Sequence, residues 1–183
     1  LKKIELIERK NLLVSGGSTI PKLLNSKYFK FKKKFLLTDE RLIGEKKYLN
    51  FHKFKNKKLI FFNYFREYEK KNLTKVKKKI AKLLKKKFYC LIGAGNDGHF
   101  SSLFSEKDCS KKEILILTKN YKEKFKRISV NFSTFLNLRI VVILPLKDKL
   151  PIIKKIFQNN PDDKTPINML LKKNKKAKII ITI

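Results

Sequence analysis

One histidine of this chain lies in a segment that suits acid–base chemistry. His99 ends the run GAGNDGH, which spans residues 93–99 and follows an apolar stretch. An imidazole titrates near pH ~6.5, so it can take a proton from water at neutral pH. Asp97, two residues earlier, can orient and tune it. The pattern predicts a general base with water as the nucleophile; the alternative is a purely structural histidine, which the three glycines of the run make the weaker reading.

A second glycine-rich loop suits an anion. Gly16 and Gly17 are followed by Ser18 in the sequence VSGGSTIP, between an apolar run and an apolar helical segment. Glycines let main-chain N–H groups face a phosphate, and the start of a helix adds partial positive charge. The loop lacks the Lys of a Walker loop and the third glycine of a dinucleotide fingerprint. Taken alone, it is equally well explained as an N-capped strand-to-helix turn.

A charged triplet, Asp39-Glu40-Arg41, follows a third apolar run. We expect it to leave the core at the end of a strand. There Asp39 can orient a ligand hydroxyl or the catalytic histidine, and Arg41 can hold an anion. A solvated charged turn is the alternative reading of this triplet.

The elements that must position these clusters follow from hydrophobic periodicity. Continuous apolar runs predict buried strands, and Leu73–Leu84 has one apolar stripe among lysines, which predicts an amphipathic helix. Strands of this kind alternating with helices predict an α/β class: a single-domain layered fold with a mainly parallel, Rossmann-like sheet flanked by helices. The predicted strands cover residues 11–15, 35–38, 88–92, 114–118, 140–144 and 179–183, and shorter helices cover 20–24 and 150–157.

The order of the clusters along the chain predicts one shared site. In open α/β sheets, ligands bind beyond the carboxyl ends of the strands. All three polar clusters directly follow predicted strands, so we expect them to meet at one edge of the sheet. The Lys- and Asn-rich stretch 51–58 and the stretch 158–165 are predicted to be surface loops.

Composition, residue spacing and the length of the apolar runs argue against several classes of function. The formal net charge is +32, but only five of the 47 basic residues are Arg, the side chain that reads bases and clamps phosphates. With abundant Asn, Ile and Phe, this Lys excess is typical of nucleotide bias in a genome, so we expect no specific nucleic-acid partner. Two Cys and two His without ligand spacing predict no metal site. No apolar stretch reaches the ~18 residues of a membrane span, and we expect a cytoplasmic protein.

Three segments, LLVSGGSTIPKLL, FLLTDERLIG and LIGAGNDGHFSSLFS, resemble in order the signature segments of the 6-phosphogluconolactonase family, a relative of the glucosamine-6-phosphate deaminases. Weaker matches follow downstream. Arg127-Ile128-Ser129 resembles an Arg-Ile-Thr strand of the family, and LPLKDK resembles its Gly-x-x-Lys segment, with Lys149 at the Lys and Leu146 at the Gly. The resemblance spans nearly the whole chain and implies one domain over residues 1–183, shortened at its N-terminus.

The resemblance implies an activity and roles. The reaction would be hydrolysis of 6-phospho-D-glucono-1,5-lactone to 6-phosphogluconate in the oxidative pentose phosphate pathway, without a metal or organic cofactor and with this small phosphosugar lactone as the partner. His99 would activate water, Asp97 would orient it, and Asp39 would contact the sugar or the histidine. Arg41 would serve the phosphate or the developing oxyanion. The remaining implied substrate- and phosphate-binding residues are Gly16, Gly17, Ser18, Gly95, Arg127 and Lys149.

Two details favour the lactonase branch of this resemblance. Deaminases have Asp-Glu-Tyr where this chain has Asp39-Glu40-Arg41, and an Asn-Glu-Pro segment where it continues Ser102-Leu103-Phe104. A related sugar-phosphate isomerase or deaminase remains the alternative enzyme. The shortened N-terminal region and Leu146 leave open a third reading, a sugar-phosphate-binding protein with little turnover.

Overall fold

The computed structural model describes residues 11–26, 35–54, 63–86, 88–158 and 164–183. Within these ranges the chain alternates strands and helices, with two 3₁₀ turns at Lys46–Tyr48 and Asn50–Lys53. The strands are β1 Asn11–Val14, β2 Phe35–Leu37, β3 Asp39–Leu42, β4 Phe88–Ile92, β5 Leu115–Thr118, β6 Lys126–Val130, β7 Arg139–Pro145 and β8 Lys178–Thr182. The α-helices are α1 Thr19–Leu24, α2 Tyr64–Glu69, α3 Leu73–Leu84, α4 Glu106–Cys109, α5 Phe132–Leu136, α6 Leu146–Phe157 and α7 Pro166–Lys173.

The central sheet has five strands in the order β2-β1-β4-β7-β8, and every neighbouring pair is parallel. Leu13 in β1 lies between Leu36 of β2 and Cys90 of β4. All three are fully buried, as expected of inner parallel strands covered on both faces. The predicted α/β class with a mainly parallel sheet is therefore confirmed.

The strand order reverses between β1 and β4, because the chain adds β2 on one side of β1 and β4, β7 and β8 on the other. The loops that leave the carboxyl ends of β1 and β4 are consequently neighbours. Such a reversal point opens the crevice in which open α/β sheets bind ligands. It places the Gly16-Gly17 loop beside the loop that ends at His99.

The second sheet is antiparallel, with the order β3-β6-β5. The prediction for Asp39-Glu40-Arg41 needs correction here. The triplet does follow the end of β2, but it continues as strand β3 and pairs with β6 instead of forming a turn. A strand that begins with two buried carboxylates has no apolar run, so periodicity could not indicate it.

The three helices predicted from the sequence are present, and one of them begins earlier than predicted. Helix α3 spans the predicted residues and buries Val76 and Ile80, one turn apart. Helix α6 begins at Leu146, four residues before the predicted start, and runs through Pro151. This earlier start brings Lys149 onto the helix. Within the described ranges, no helix combines the length and apolar character that a membrane span requires.

One predicted surface loop is different in the structure. Of the stretch 51–58, residues 51–53 belong to the second 3₁₀ turn, and Phe54 is buried against Phe35 at a ring-centroid distance of 5.0 Å. An aromatic ring among lysines anchors this turn to the core, because burying it removes a large apolar surface from water. Residues 55–58 lie outside the described part of the chain.

Candidate active site

The loop after β4 is closed by its own hydrogen bonds. The Gly95 N–H donates to the His99 carbonyl oxygen at 2.8 Å, and the Gly98 N–H donates to the Gly95 carbonyl oxygen at 3.0 Å. Gly98 has a φ of +87°, a conformation that side chains disfavour. A further bond from the Ile167 N–H to the Gly98 carbonyl oxygen, at 3.0 Å, ties the loop to the start of α7. The loop therefore holds His99 in one place.

Asp97 and His99 form a close pair. The distance from Asp97 Oδ1 to His99 Nδ1 is 2.6 Å, and the same oxygen accepts the His99 backbone N–H at 3.3 Å. The hydrogen bond from His99 lowers the pKa of Asp97 to about 2, against a smaller opposing effect of burial. Gly95 leaves room for the pair, because a Cβ there would lie 2.3 Å from His99 Nδ1 and 2.4 Å from Asp97 Oδ1.

A cavity of about 180 Å³ lies between the two glycine loops. The Gly93 N–H donates to Ser15 Oγ at 3.2 Å and joins the ends of β1 and β4 at its base. Five predicted site residues line it: Gly17, Ser18, Gly95, His99 and Lys149. The structure thus brings a histidine, two glycine loops and one cation to a single cavity.

Gly16 lies behind this cavity and is tightly enclosed. Its N–H donates to Asp39 Oδ1 at 3.4 Å, and its carbonyl oxygen accepts from Lys53 Nζ at 2.9 Å. A Cβ on Gly16 would lie 2.0 Å from Asn50 Cγ, so only glycine fits without displacing that side chain. Gly17, in contrast, has open space around the position of a Cβ.

Asp39 is buried, and its carboxylate joins segments that are distant in sequence. Oδ1 accepts from Thr38 Oγ1 at 2.9 Å in addition to Gly16, and Oδ2 accepts from Asn50 Nδ2 at 3.1 Å and Ser102 Oγ at 2.8 Å. Among the described residues its hydrogen-bond partners do not include His99. These contacts favour a positioning role for Asp39 over a direct part in catalysis.

Two arginines lie side by side on neighbouring strands of the second sheet. Arg41 in β3 and Arg127 in β6 are directly paired, and like charges in this relation repel. Arg127 is buried, forms an ion pair with Glu123 and lies 5.2 Å from the ring centre of Phe104. That ring is in turn 5.0 Å from the His99 ring. Phe104 therefore separates the histidine from the arginine pair.

Arg41 is held by neutral oxygens. Its Nη1 donates to Asn50 Oδ1 at 2.7 Å and to the Tyr48 carbonyl oxygen at 3.0 Å. Burial, and then the charge of Arg127, lower the pKa of Arg41 below its ordinary value. No carboxylate within the described ranges forms an ion pair with Arg41. A bound anion would therefore relieve the repulsion between Arg41 and Arg127. Neither arginine lines the cavity of His99.

Three residues of this region have no role in the sequence-based prediction: Glu40, Asn50 and Lys53. Glu40 is buried and accepts the backbone N–H groups of Asn50 at 2.5 Å and Phe51 at 2.7 Å. Burial raises its pKa to about 7 despite these bonds. Glu40 links β3 to the second 3₁₀ turn, and Asn50 and Lys53 of that turn contact Gly16. No local pattern indicates these contacts, since they join residues 10 to 37 positions apart.

No group of three or more His, Cys, Asp or Glu side chains in the described part of the chain is arranged to hold a metal ion. Both cysteines are buried, and burial raises the pKa of the Cys109 thiol to about 12. Neither cysteine lines the cavity beside His99. The described groups at this cavity that can take part in chemistry are the imidazole, main-chain N–H groups, Lys149 and the hydroxyls of Ser15, Ser18, Thr19 and Ser101.

Comparison with known proteins follows this geometry. Residues 2–180 match the family model of glucosamine-6-phosphate isomerases/6-phosphogluconolactonase. No curated protein sequence matches the chain significantly. The chain is similar in fold to 6-phosphogluconolactonases from Trypanosoma cruzi (TM-score 0.74, 21% identity) and Shewanella baltica OS155 (TM-score 0.71, 22% identity), covering 98% of this chain and 87% and 85% of those chains.

A solved monomeric glucosamine-6-phosphate deaminase shares the fold as well, with a TM-score of 0.66 and 13% identity over 98% of this chain and 89% of that one. Shared folds at such identities do not separate the two activities. The family match, whose description names both activities, covers nearly the whole sequence, including the residues of all three signature segments. The chain therefore belongs to the family of glucosamine-6-phosphate isomerases and 6-phosphogluconolactonases.

Proposed function

We propose that this protein hydrolyses 6-phospho-D-glucono-1,5-lactone to 6-phosphogluconate. The observation that carries the proposal is the shared cavity: His99, paired with Asp97, lines the same 180 Å³ space as Gly17, Ser18 and Lys149. A base and anion-binding groups on opposite loops suit a substrate with a reactive carbonyl at one end and a phosphate at the other. No other described group beside the cavity is as well suited to accept a proton.

Asp97 supports His99 as the base. Its carboxylate stays ionised far below neutral pH and accepts a hydrogen bond from Nδ1–H. This bond selects the tautomer in which Nε2 carries the free lone pair, so Nε2 can take a proton from water. As that proton arrives, the neighbouring carboxylate stabilises the imidazolium.

The cavity residues best suited to bind the phosphate come from the Gly16-Gly17 loop and from α6. Lys149 is half-buried on α6 and lines the cavity together with Gly17 and Ser18. Main-chain N–H groups and an ammonium are the donors that phosphates bind in proteins. Arg41 and Arg127 form a second cationic centre on the far side of Phe104, where they stabilise the negative charge of the bound substrate at longer range.

The proposed reaction balances without a co-reactant other than water. Water gives a proton to His99 and its oxygen bonds to the lactone carbonyl carbon, which forms a tetrahedral oxyanion. The bond from that carbon to the ring oxygen then breaks, and the ring oxygen takes the proton from His99. The product is the open-chain acid, which ionises at neutral pH.

Two observations support the lactonase over the deaminase. Arg41 occupies the position where deaminases have a tyrosine, and its guanidinium is fixed by Asn50. Phe104, from the Ser102-Leu103-Phe104 segment that differs from deaminases, packs between His99 and Arg127. A deaminase has to accommodate the amino group of its substrate, whereas this ring makes that side of the histidine apolar.

The direct test compares three substrates with the purified wild-type protein. Freshly generated 6-phosphogluconolactone, unphosphorylated glucono-1,5-lactone and glucosamine 6-phosphate are assayed, with the spontaneous rate of lactone opening subtracted. We expect saturable hydrolysis of the phosphorylated lactone, a much lower kcat/KM for the unphosphorylated one, and no ammonia from glucosamine 6-phosphate. Ammonia release would establish the deaminase instead. A folded protein inactive on all three would establish the binding-only reading.

A further inference from the structure

Lys53 lies outside the three signature segments, yet it contacts one of them. Its Nζ donates to the Gly16 carbonyl oxygen at 2.9 Å, across 37 positions of sequence. The backbone of Lys53 is itself fixed, because its carbonyl oxygen accepts from Asn25 Nδ2 at 2.8 Å. A half-buried lysine anchored at both ends is held in a defined position.

The 3₁₀ turn at Asn50–Lys53 explains how this contact arises. In a 3₁₀ helix, side chains three residues apart lie on the same side. Asn50 and Lys53 stand in that relation, and both reach Gly16: Asn50 packs where a Cβ would be, and Lys53 binds the carbonyl oxygen. One turn therefore fixes the Gly16 peptide group from behind the cavity.

Fixing the carbonyl also fixes the N–H that follows it. The Gly16–Gly17 peptide is trans, since the described chain contains no cis bond, so its C=O and N–H point in opposite directions. Because Lys53 binds the Gly16 carbonyl oxygen, the Gly17 N–H of the same peptide points away from Lys53. Gly17 lines the cavity, whereas Lys53 does not. A hydrogen bond to the carbonyl also polarises the peptide and strengthens its N–H as a donor.

The charge of Lys53 is poorly compensated. In the described ranges no carboxylate lies within ion-pair distance of its Nζ, although Asp39 and Glu40 are more distant favourable neighbours. Burial, and then the charge of Arg41, lower the pKa of Lys53 to about 8; Arg127 contributes in the same direction. The ammonium therefore gains from any anion that binds on the other side of the peptide it holds.

We propose that Lys53 is a positioning residue of the anion site: it holds the Gly16 carbonyl oxygen so that the Gly17 N–H faces the cavity and donates to an anionic oxygen of the substrate. The identity of that substrate, a sugar phosphate, rests on the proposed function. The role of Lys53 itself rests on the contacts of Gly16 and Gly17.

Three variants and one stable ligand test this role. Lys53→Met removes the ammonium at similar length, Lys53→Arg retains a cationic donor, and Lys46→Met removes an exposed lysine of the neighbouring 3₁₀ turn as a control. The dissociation constant of 6-phosphogluconate is measured by calorimetry, and kcat and KM are measured with the lactone. We expect Lys53→Met to raise the dissociation constant and KM about tenfold with a much smaller change in kcat, because a charge-supported hydrogen bond is lost. Lys53→Arg should restore most of the binding, and Lys46→Met should behave as wild type.

Several results would overturn the inference. One is wild-type binding by Lys53→Met, and another is equal weakening by Lys53→Met and Lys53→Arg together with a lowered melting temperature. A measurement on the wild type alone decides the question if Lys53→Met does not fold: 6-phosphogluconate must shift the Gly17 amide resonance, and an unmoved amide contradicts the role. A wild type that binds 6-phosphogluconate without hydrolysing the lactone would refute the activity, while the dissociation constants of the variants would still decide the role of Lys53.

Discussion

The two glycine loops of the site are stabilised in opposite ways. The loop at residues 93–99 is held largely by its own atoms, through the Gly95–His99 backbone bond and the Asp97–His99 pair. The Gly16 loop depends on distant residues: Asp39 is 23 positions away and Lys53 is 37 positions away. The loop at residues 93–99 thus carries both the histidine and the carboxylate that pairs with it. The conformation of the Gly16 loop, in contrast, is fixed by residues of the second sheet and of a 3₁₀ turn.

This difference assigns separate tasks to the two loops. The loop at residues 93–99 is held mostly by its own hydrogen bonds and by one bond to α7, and it keeps the base beside its carboxylate partner, so changes in it should act on kcat. A loop shaped from outside binds the anion, so changes there should act on KM. The following predictions test this division, in order of expected effect.

Replacing His99 should have the largest effect. In His99→Ala and in the more conservative His99→Gln, we expect kcat for the lactone to fall by about 10²–10⁴-fold with little change in KM, since general base catalysis contributes on this scale. Steady-state kinetics with the spontaneous rate subtracted measure this, and melting temperatures control for folding. Undiminished turnover in both variants would remove His99 from the role of base and leave the hydrolysis itself established.

Gly95→Ala should impair kcat nearly as strongly without removing any catalytic group. Its Cβ would collide with both His99 Nδ1 and Asp97 Oδ1, so the pair must move from its place beside the cavity. Misplacement of a catalytic group by about 1 Å can cost about a hundredfold in rate. Gly44→Ala is the matched control, because Gly44 has open space around a Cβ position and is exposed. Equal kinetics for these two variants would mean that the Asp97–His99 geometry is unimportant.

Gly16→Ala should act mainly on KM. The added methyl group would displace Asn50, which also holds Arg41 and Asp39, and would disturb the peptide that precedes Gly17. We expect KM to rise about tenfold, because interactions with the bound anion are weakened in ground state and transition state alike. A fall in kcat comparable with that of Gly95→Ala would contradict the division of tasks between the loops.

The smallest predicted effect is a change in the stability of the protein at acidic pH. The folded-state pKa of Asp97 is about 2, below its ordinary value of 3.8, so its stabilising effect is complete above about pH 4 and is lost as the pH falls towards 2. Urea unfolding at pH 5 and at pH 2.5 should show a larger loss of stability for the wild type than for Asp97→Asn. In His99→Ala the loss should resemble that of Asp97→Asn, because the hydrogen bond from His99 is the largest cause of the lowered pKa. Identical losses in all three proteins would mean that the pair is not formed in solution.

The same contrast explains what sequence could and could not predict. The parallel strands and helix α3 follow from apolar runs and helical periodicity, and the His99–Asp97 pair follows from two residues in one loop. Hydrophobic periodicity does not predict strand β3, because its carboxylates are stabilised by partners outside it: Asn50, Phe51 and Ser102. Lys53 falls in a stretch predicted to be a surface loop, because nothing near it in sequence indicates that Gly16 is its partner.

A single titration tests most directly whether the two loops form one site. Isotope-labelled protein is titrated first with inorganic phosphate and then with 6-phosphogluconate, and the backbone amide resonances are followed. Phosphate should shift the amides of Gly17 and Ser18, and 6-phosphogluconate should shift these together with Gly95 and His99 at the same dissociation constant. Shifts confined to one loop, or spread over exposed lysine-rich helices such as α3, would contradict a site that spans both loops.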